Sequence, residues 1–151
     1  MSTVRWLLAW LAALAVATVL GSIVQTQFNL ARIAALDTAI PWSMRLETTL
    51  FDLASFAPLW AVIVALGLLI ALVAALPVAR RLPRMRTGVF VLAGFLAVAT
   101  SLVVMNAMLP VTPVGAARTT GGLLSMSLTG ALAGWVHVRL LTRKPTRQGS
   151  G

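Results

Sequence analysis

The chain contains no cysteine. Disulfides, thiolate metal sites and dithiol redox chemistry are therefore excluded, and cysteine usage says nothing about the redox compartment. Acidic residues are almost as scarce: among 151 residues there are three, Asp37, Glu47 and Asp52. The one histidine, His137, cannot assemble a bis-histidine haem site within the chain. No Asp, Glu, Lys or His lies in the middle of an apolar run, where ionisable groups usually mark proton or ion pathways. That absence argues against a proton-coupled pump and against small multidrug antiporters, which need a membrane carboxylate. Charged residues of both signs make up 10% of the chain, against about 25% in soluble domains.

What is present is apolar. Hydrophobic residues account for 60% of the sequence, and the mean hydropathy is positive. The reading is an all-α integral membrane protein of one domain over residues 1–141, because four spans of ~20 residues and their connectors use up the length. The spans are expected at about 6–24, 57–78, 88–109 and 121–141, with a polar, disordered tail at 142–151. The first could be mistaken for a signal peptide. Its basic flank is the single Arg5, however, its apolar run is longer than the ~7 to 15 residues of a typical signal, and Ala15-Val16-Ala17 is the only plausible small-residue site. In the second, Pro58 suits the first turn and Pro77 the exit. Pro110 and Pro113 close the third. The fourth is the least apolar and the richest in small residues.

The formal charge of +9 does not indicate nucleic acid, because the basic residues flank apolar spans and form no stripe with interleaved aromatics. Arg5, the Arg80, Arg81, Arg84 and Arg86 cluster, and Arg139, Arg143, Lys144 and Arg147 fall on one side of the spans. Arg32, Arg45 and Arg118 fall on the other, together with all three acids. The positive-inside rule makes the first side cytoplasmic, with both termini inside. The cytoplasmic excess should attract anionic lipid headgroups at about 1 kcal/mol per basic residue. Trp6, Trp42, Trp60 and Trp135 are expected as interfacial aromatic anchors. His137 and Arg139, about a turn from the cytoplasmic end, are expected to snorkel or cap.

The connector from Gln25 to Phe56 carries the most varied chemistry. It is long for a link between helices, and long loops usually have structure or function of their own. Over 28–56 it reads as an outer amphipathic helical segment. At 100° per residue Trp42, Leu46, Leu50 and Leu53 share one sector, with Arg45, Thr48, Thr49, Asp52 and Ser55 roughly opposite. Pro41 suits the start, and Ser55 with Pro58 suits a break before the second span. The helix would lie along the membrane or across the bundle mouth with its polar face solvated. On that face Arg45 and Thr49, and Thr48 and Asp52, are i,i+4 neighbours that could build a hydrogen-bonded chain or hold a phosphate or carboxylate headgroup. Arg45 and Asp52 would pair only through the threonines or another helix. Glu47 and Asp52, about 140° apart, make a poor acid and base pair.

Asn106 lies a turn below the outer surface, where it could cap the docked outer helix or contact a ligand. Gly122, Gly130 and Gly134 mark a small-residue face on the fourth span, suited to close helix packing inside the bundle or against a partner. Met44, Met105, Met108 and Met126 could suggest copper(I), but with no Cys or His beside them they are read as apolar filler. No metal and no cofactor are expected. The leading expectation is a non-enzymatic, multi-pass protein of a bacterial inner membrane. It would be an accessory or assembly subunit that contacts lipid, a membrane-protein partner or a second copy through its outer segment. The alternatives are a binder or carrier of an apolar ligand such as a lipid or quinone between the helices, and a lipid-modifying enzyme using Arg45, Glu47 or Asp52.

Overall fold

The computed structural model describes residues 2–36, 39–108 and 114–142. Asp37, Leu109, Pro110, Pro113 and the tail beyond Thr142 lie outside the described residues. Four α-helices form, α1 (Thr3–Ala34), α2 (Trp42–Arg81), α3 (Arg86–Met108) and α4 (Thr120–Thr142), with 3₁₀ turns at Pro83–Met85 and Gly115–Arg118. No strand occurs among the described residues. Three helices, α1, α2 and the one ending at Met108, are long and apolar enough to cross a membrane.

Local sequence explains where the helices begin and end. Ser2 caps α1 by accepting from the Arg5 N–H at 3.4 Å, and Thr119 caps α4 by accepting from the Gly122 N–H at 3.1 Å. Pro83 disfavours the helical conformation at Leu82, which sits at φ −120° and ψ 64° and ends α2.

The helices form a ring in which each packs on the next and α4 closes back on α1. Neighbours run antiparallel: Thr26 meets Asp52, Gly67 meets Ser101, Gly130 meets Gly94, and Arg5 meets Leu141. Arg5, Arg80, Arg81, Arg84, Arg86 and Arg139 therefore gather at one end, with Glu47 and Asp52 toward the other. The core is complementary in size. On α1, Ala9, Ala13, Ala17 and Gly21 recur every fourth residue on one buried face. Facing helices supply bulk, including Trp60, Leu68 and Leu72 from α2 and Phe90 and Leu102 from α3. The Trp60 indole lies directly over Gly21, where a Cβ would overlap Nε1. Trp60 is thus a core residue with no exposure, and its expected role as an interfacial anchor does not hold.

The connector differs most from the sequence reading. Among the described residues no helix lies across the mouth, and no break occurs at 55–58. Helix α1 runs on to Ala34, and α2 is continuous from Trp42 through Pro58 and Pro77 to Arg81. At 40 residues, α2 measures about 60 Å, roughly twice a hydrocarbon core. Proline removes one hydrogen bond from a helix, but here α1 grips α2 on both sides of Pro58, through Asp52 before it and Trp60 after it. With Gly67 level with Ser101, antiparallel counting brings the end of α3 at Met108 level with Trp60. The part of α2 from Trp42 to Leu59, about 27 Å long, therefore rises past α3 as one arm of a helical hairpin with α1.

Candidate functional site

The hairpin carries the densest polar chemistry among the described residues. Arg45, Thr49 and Asp52 point toward α1, where the run Gln25-Thr26-Gln27 meets them. Gln27 bridges the two helices: its Oε1 accepts from Arg45 Nη1 at 3.3 Å and its Nε2 donates to Thr49 Oγ1 at 3.2 Å. Thr49 Oγ1 donates to the Arg45 carbonyl at 2.7 Å, which closes the circuit. One turn further in, Thr26 Oγ1 lies 2.6 Å from Asp52 Oδ2 and 2.9 Å from the Ser22 carbonyl. A hydroxyl has a single hydrogen, so these two acceptors compete for it.

Gln25 extends the seam to the α3–α4 connection. Its Oε1 accepts from the buried Ala116 N–H at 2.9 Å. Beside it Arg32 Nη1 donates to the Gly115 carbonyl at 3.4 Å, and Asn29 Oδ1 sits where a Cβ at Gly115 would lie.

Of the residues singled out on α2, Arg45, Thr49 and Asp52 are thus joined, through α1 and not through one another. Thr48 stays apart, donating to the Met44 carbonyl at 2.8 Å, so the expected Thr48 to Asp52 link is absent. Arg45 and Asp52 reach adjacent residues of a second helix, Gln27 and Thr26. The residues missed by the sequence reading are Gln25, Thr26 and Gln27, whose signal was three consecutive polar side chains in an otherwise apolar helix. Asn106 is half-buried, and its Oδ1 is enclosed with no hydrogen-bond partner. It joins none of the hairpin contacts.

Since Arg45, Thr49 and Asp52 turn toward α1, Leu46, Leu50 and Phe51 point outward, with the exposed Glu47 beside them. Leu46 is 52%, Leu50 59% and Phe51 68% exposed. The expected solvated face was Arg45, Thr48, Thr49, Asp52 and Ser55; of these, Arg45, Thr49 and Asp52 are half-buried against α1 and Ser55 is exposed.

Elsewhere the helix contacts are dictated by glycine. A Cβ at Gly94 would overlap the Gly130 carbonyl, one at Gly130 the Gly94 carbonyl, and one at Gly134 the Phe90 carbonyl. Backbone meets backbone there, the geometry of Cα–H···O contacts. Gly122 does not face another helix: it packs on the Ala116 carbonyl of the preceding 3₁₀ turn. His137 continues the Gly130 and Gly134 face and is fully buried, so it does not snorkel. Its ring meets Trp6 edge-on at 5.4 Å and Phe90 at 5.5 Å, and neither ring nitrogen has a hydrogen-bond partner. Arg139 is exposed and lies 5.1 Å over the Trp135 ring.

Two further spaces lie between α2 and α3. A groove of about 460 Å³ is lined by Ile63, Gly67, Ile70, Ala97, Ser101 and their neighbours. At the basic end a cavity of about 330 Å³ is lined by Leu76, Ala79, Arg80, Pro83, Arg86 and Phe90.

No family model, curated protein or solved structure matches this chain. The functional reading therefore rests on geometry.

Proposed function

We propose that this chain is a non-enzymatic accessory or assembly protein of a cell inner membrane, docking a membrane-protein partner through the outward apolar face of its α1–α2 hairpin. The observation that carries the reading is the inverted hairpin, with Arg45, Thr49 and Asp52 spent on α1 and Leu46, Leu50 and Phe51 left outward. Water would favour the opposite orientation, since about 25 cal/mol is lost per Å² of apolar surface left hydrated. An apolar surrounding, lipid or a partner helix, suits this one. All four helices would span, both termini lying on the cytoplasmic side with the basic end. For α4, close backbone packing on α3 offsets its lower apolarity.

Photo-crosslinking in intact membranes tests this. A crosslinking residue at Leu50 or Phe51 should trap a specific polypeptide, whereas one at Leu66, on the lipid-facing part of α2, should give lipid adducts. Lipid adducts alone at all three positions would refute docking through this face.

The α2–α3 groove favours a second reading, an apolar-ligand binder, because it is open and lined almost wholly by aliphatic side chains. That reading expects one lipid or quinone mass retained in native mass spectrometry and lost on Thr100→Trp. As for enzymatic chemistry, Asp52 is engaged by Thr26 while Glu47 is exposed on another sector, so the two carboxylates do not converge.

A further inference from the structure

We propose that the cavity between α2 and α3 at the basic end is a site for one anionic phospholipid, with its phosphate between Arg80 and Arg86 and its glycerol and upper acyl chain against Leu76, Ala79 and Phe90. The site does not depend on docking through the hairpin; it depends on the basic end lying at a membrane surface.

Three observations support it. The cavity is amphiphilic. Its lining joins two arginines, Arg80 exposed and Arg86 half-buried, to core residues, Phe90 with no exposure and Ala79 at 5%. A free inorganic anion would use only the arginines; a phospholipid uses both.

The charge there is uncompensated. Neither the Arg80 nor the Arg86 guanidinium makes a hydrogen bond or ion pair among the described residues. Glu47 and Asp52 sit on the hairpin toward the opposite end of α2, more than a Debye length away at physiological ionic strength. Two cations lining one cavity at the edge of a low-dielectric bundle repel, and a phosphate between them relieves the repulsion while accepting from both forks. Two guanidinium groups in one cavity disfavour a headgroup bearing its own ammonium, so an anionic lipid is selected over a zwitterionic one.

The lining is also held in place. The 3₁₀ turn Pro83–Met85 links the two helices, with Pro83 fixing φ at its start. Helix α3 begins at Arg86, whose N–H is held by the Pro83 carbonyl, so the turn and the positive dipole end of α3 lie beside the same cavity.

The experiment is native mass spectrometry of the full chain in mild detergent, titrated with phosphatidylglycerol or phosphatidylcholine. The wild type should retain one phosphatidylglycerol, at least tenfold more tightly than phosphatidylcholine. R80Q/R86Q should weaken that retention at least tenfold, while R84Q/R139Q, which removes the same charge outside the cavity, should leave it within twofold. Leu76→Trp, which keeps both arginines and fills the floor, should also displace the lipid; it guards against misreading an unfolded arginine variant. The proposal is overturned if R84Q/R139Q weakens binding as much as R80Q/R86Q, which would mean diffuse attraction. It is equally overturned if phosphatidylcholine binds as well, or if glycerophosphoglycerol or inorganic phosphate competes at the same concentration as the lipid, which would mark a soluble-anion site.

Discussion

At Gly94, Gly130 and Gly134 only a hydrogen separates one helix from the carbonyl of its neighbour, and that closeness can be tested residue by residue. Gly130→Leu forces α3 and α4 apart, and overpacking of this kind typically costs ~1 to 3 kcal/mol. Gly121, by contrast, has nothing within 4 Å of where its Cβ would be. Thermal unfolding in detergent should therefore show a clear loss for Gly130→Leu and none for Gly121→Ala. Equal effects would mean that the two helices do not meet as described. The polar seam offers a second comparison. Asp52→Ala removes the acceptor for Thr26 and should cost about 0.6 to 1.7 kcal/mol, the range for hydrogen bonds between helices in membranes, whereas Glu47→Ala on the exposed side should be close to neutral. A double-mutant cycle of Asp52→Ala with Thr26→Ala isolates the coupling; additive losses would show that the contact carries no energy.

At the scale of elements, α2 is where sequence and structure part. The apolar runs made all four helices legible, because runs of such length and composition have few other solutions. The polar sector of Arg45, Thr49 and Asp52 was also legible from periodicity. Its direction was not: a helical wheel orders side chains around an axis but does not say which sector meets a neighbour. Gln25, Thr26 and Gln27 supplied the missing half, and a polar run near the expected end of a span reads more readily as the exit from the membrane than as the partner of another helix. Pro58 misled for a related reason, since a local breaker was overridden by contacts with α1 on either side of it. The burial of His137 was legible in principle. It falls three residues after Gly134 on the same face, but its nearness to the helix end suggested the surface.

The continuity of α2 makes its own prediction. Pro58 leaves the Ala54 carbonyl without its usual partner, and interior proline costs a helix ~3 kcal/mol. Pro58→Ala restores that bond without disturbing the core, since residue 58 is exposed. Slower amide exchange across 54–58 and a higher melting temperature are expected. A lower melting temperature would show instead that a proline-set bend at this point is needed for α1 and α2 to fit.

For the whole molecule the central question is topology, and the lack of native cysteine provides a clean way to settle it. In an otherwise cysteine-free chain every introduced thiol reports its own position. Ser43→Cys on the hairpin and Thr119→Cys before α4 should react with an impermeant maleimide in intact cells. Thr87→Cys and Thr142→Cys should react only after the membrane is opened. If Thr119→Cys and Thr142→Cys label from the same side, α4 does not span and the four-span reading fails.

The unequal heights of the two halves have a mechanical consequence. Along α3, with 23 residues, the bundle is about 35 Å tall, while along α2, with 40, it is about 60 Å. Near its tip the taller half still turns Trp42, Leu46, Leu50 and Phe51 outward, beside Ser43 and Glu47. No flat bilayer matches both edges at once, and each ångström of mismatch costs a fraction of a kcal/mol. Were the whole hairpin face in lipid, the surrounding bilayer would thicken on one side, or the protein would lean until the tall edge lay down into the membrane. A tilted wedge would have a front and a back: its neighbours in the bilayer would be sorted by thickness, with the α1–α2 edge turned toward the thicker membrane.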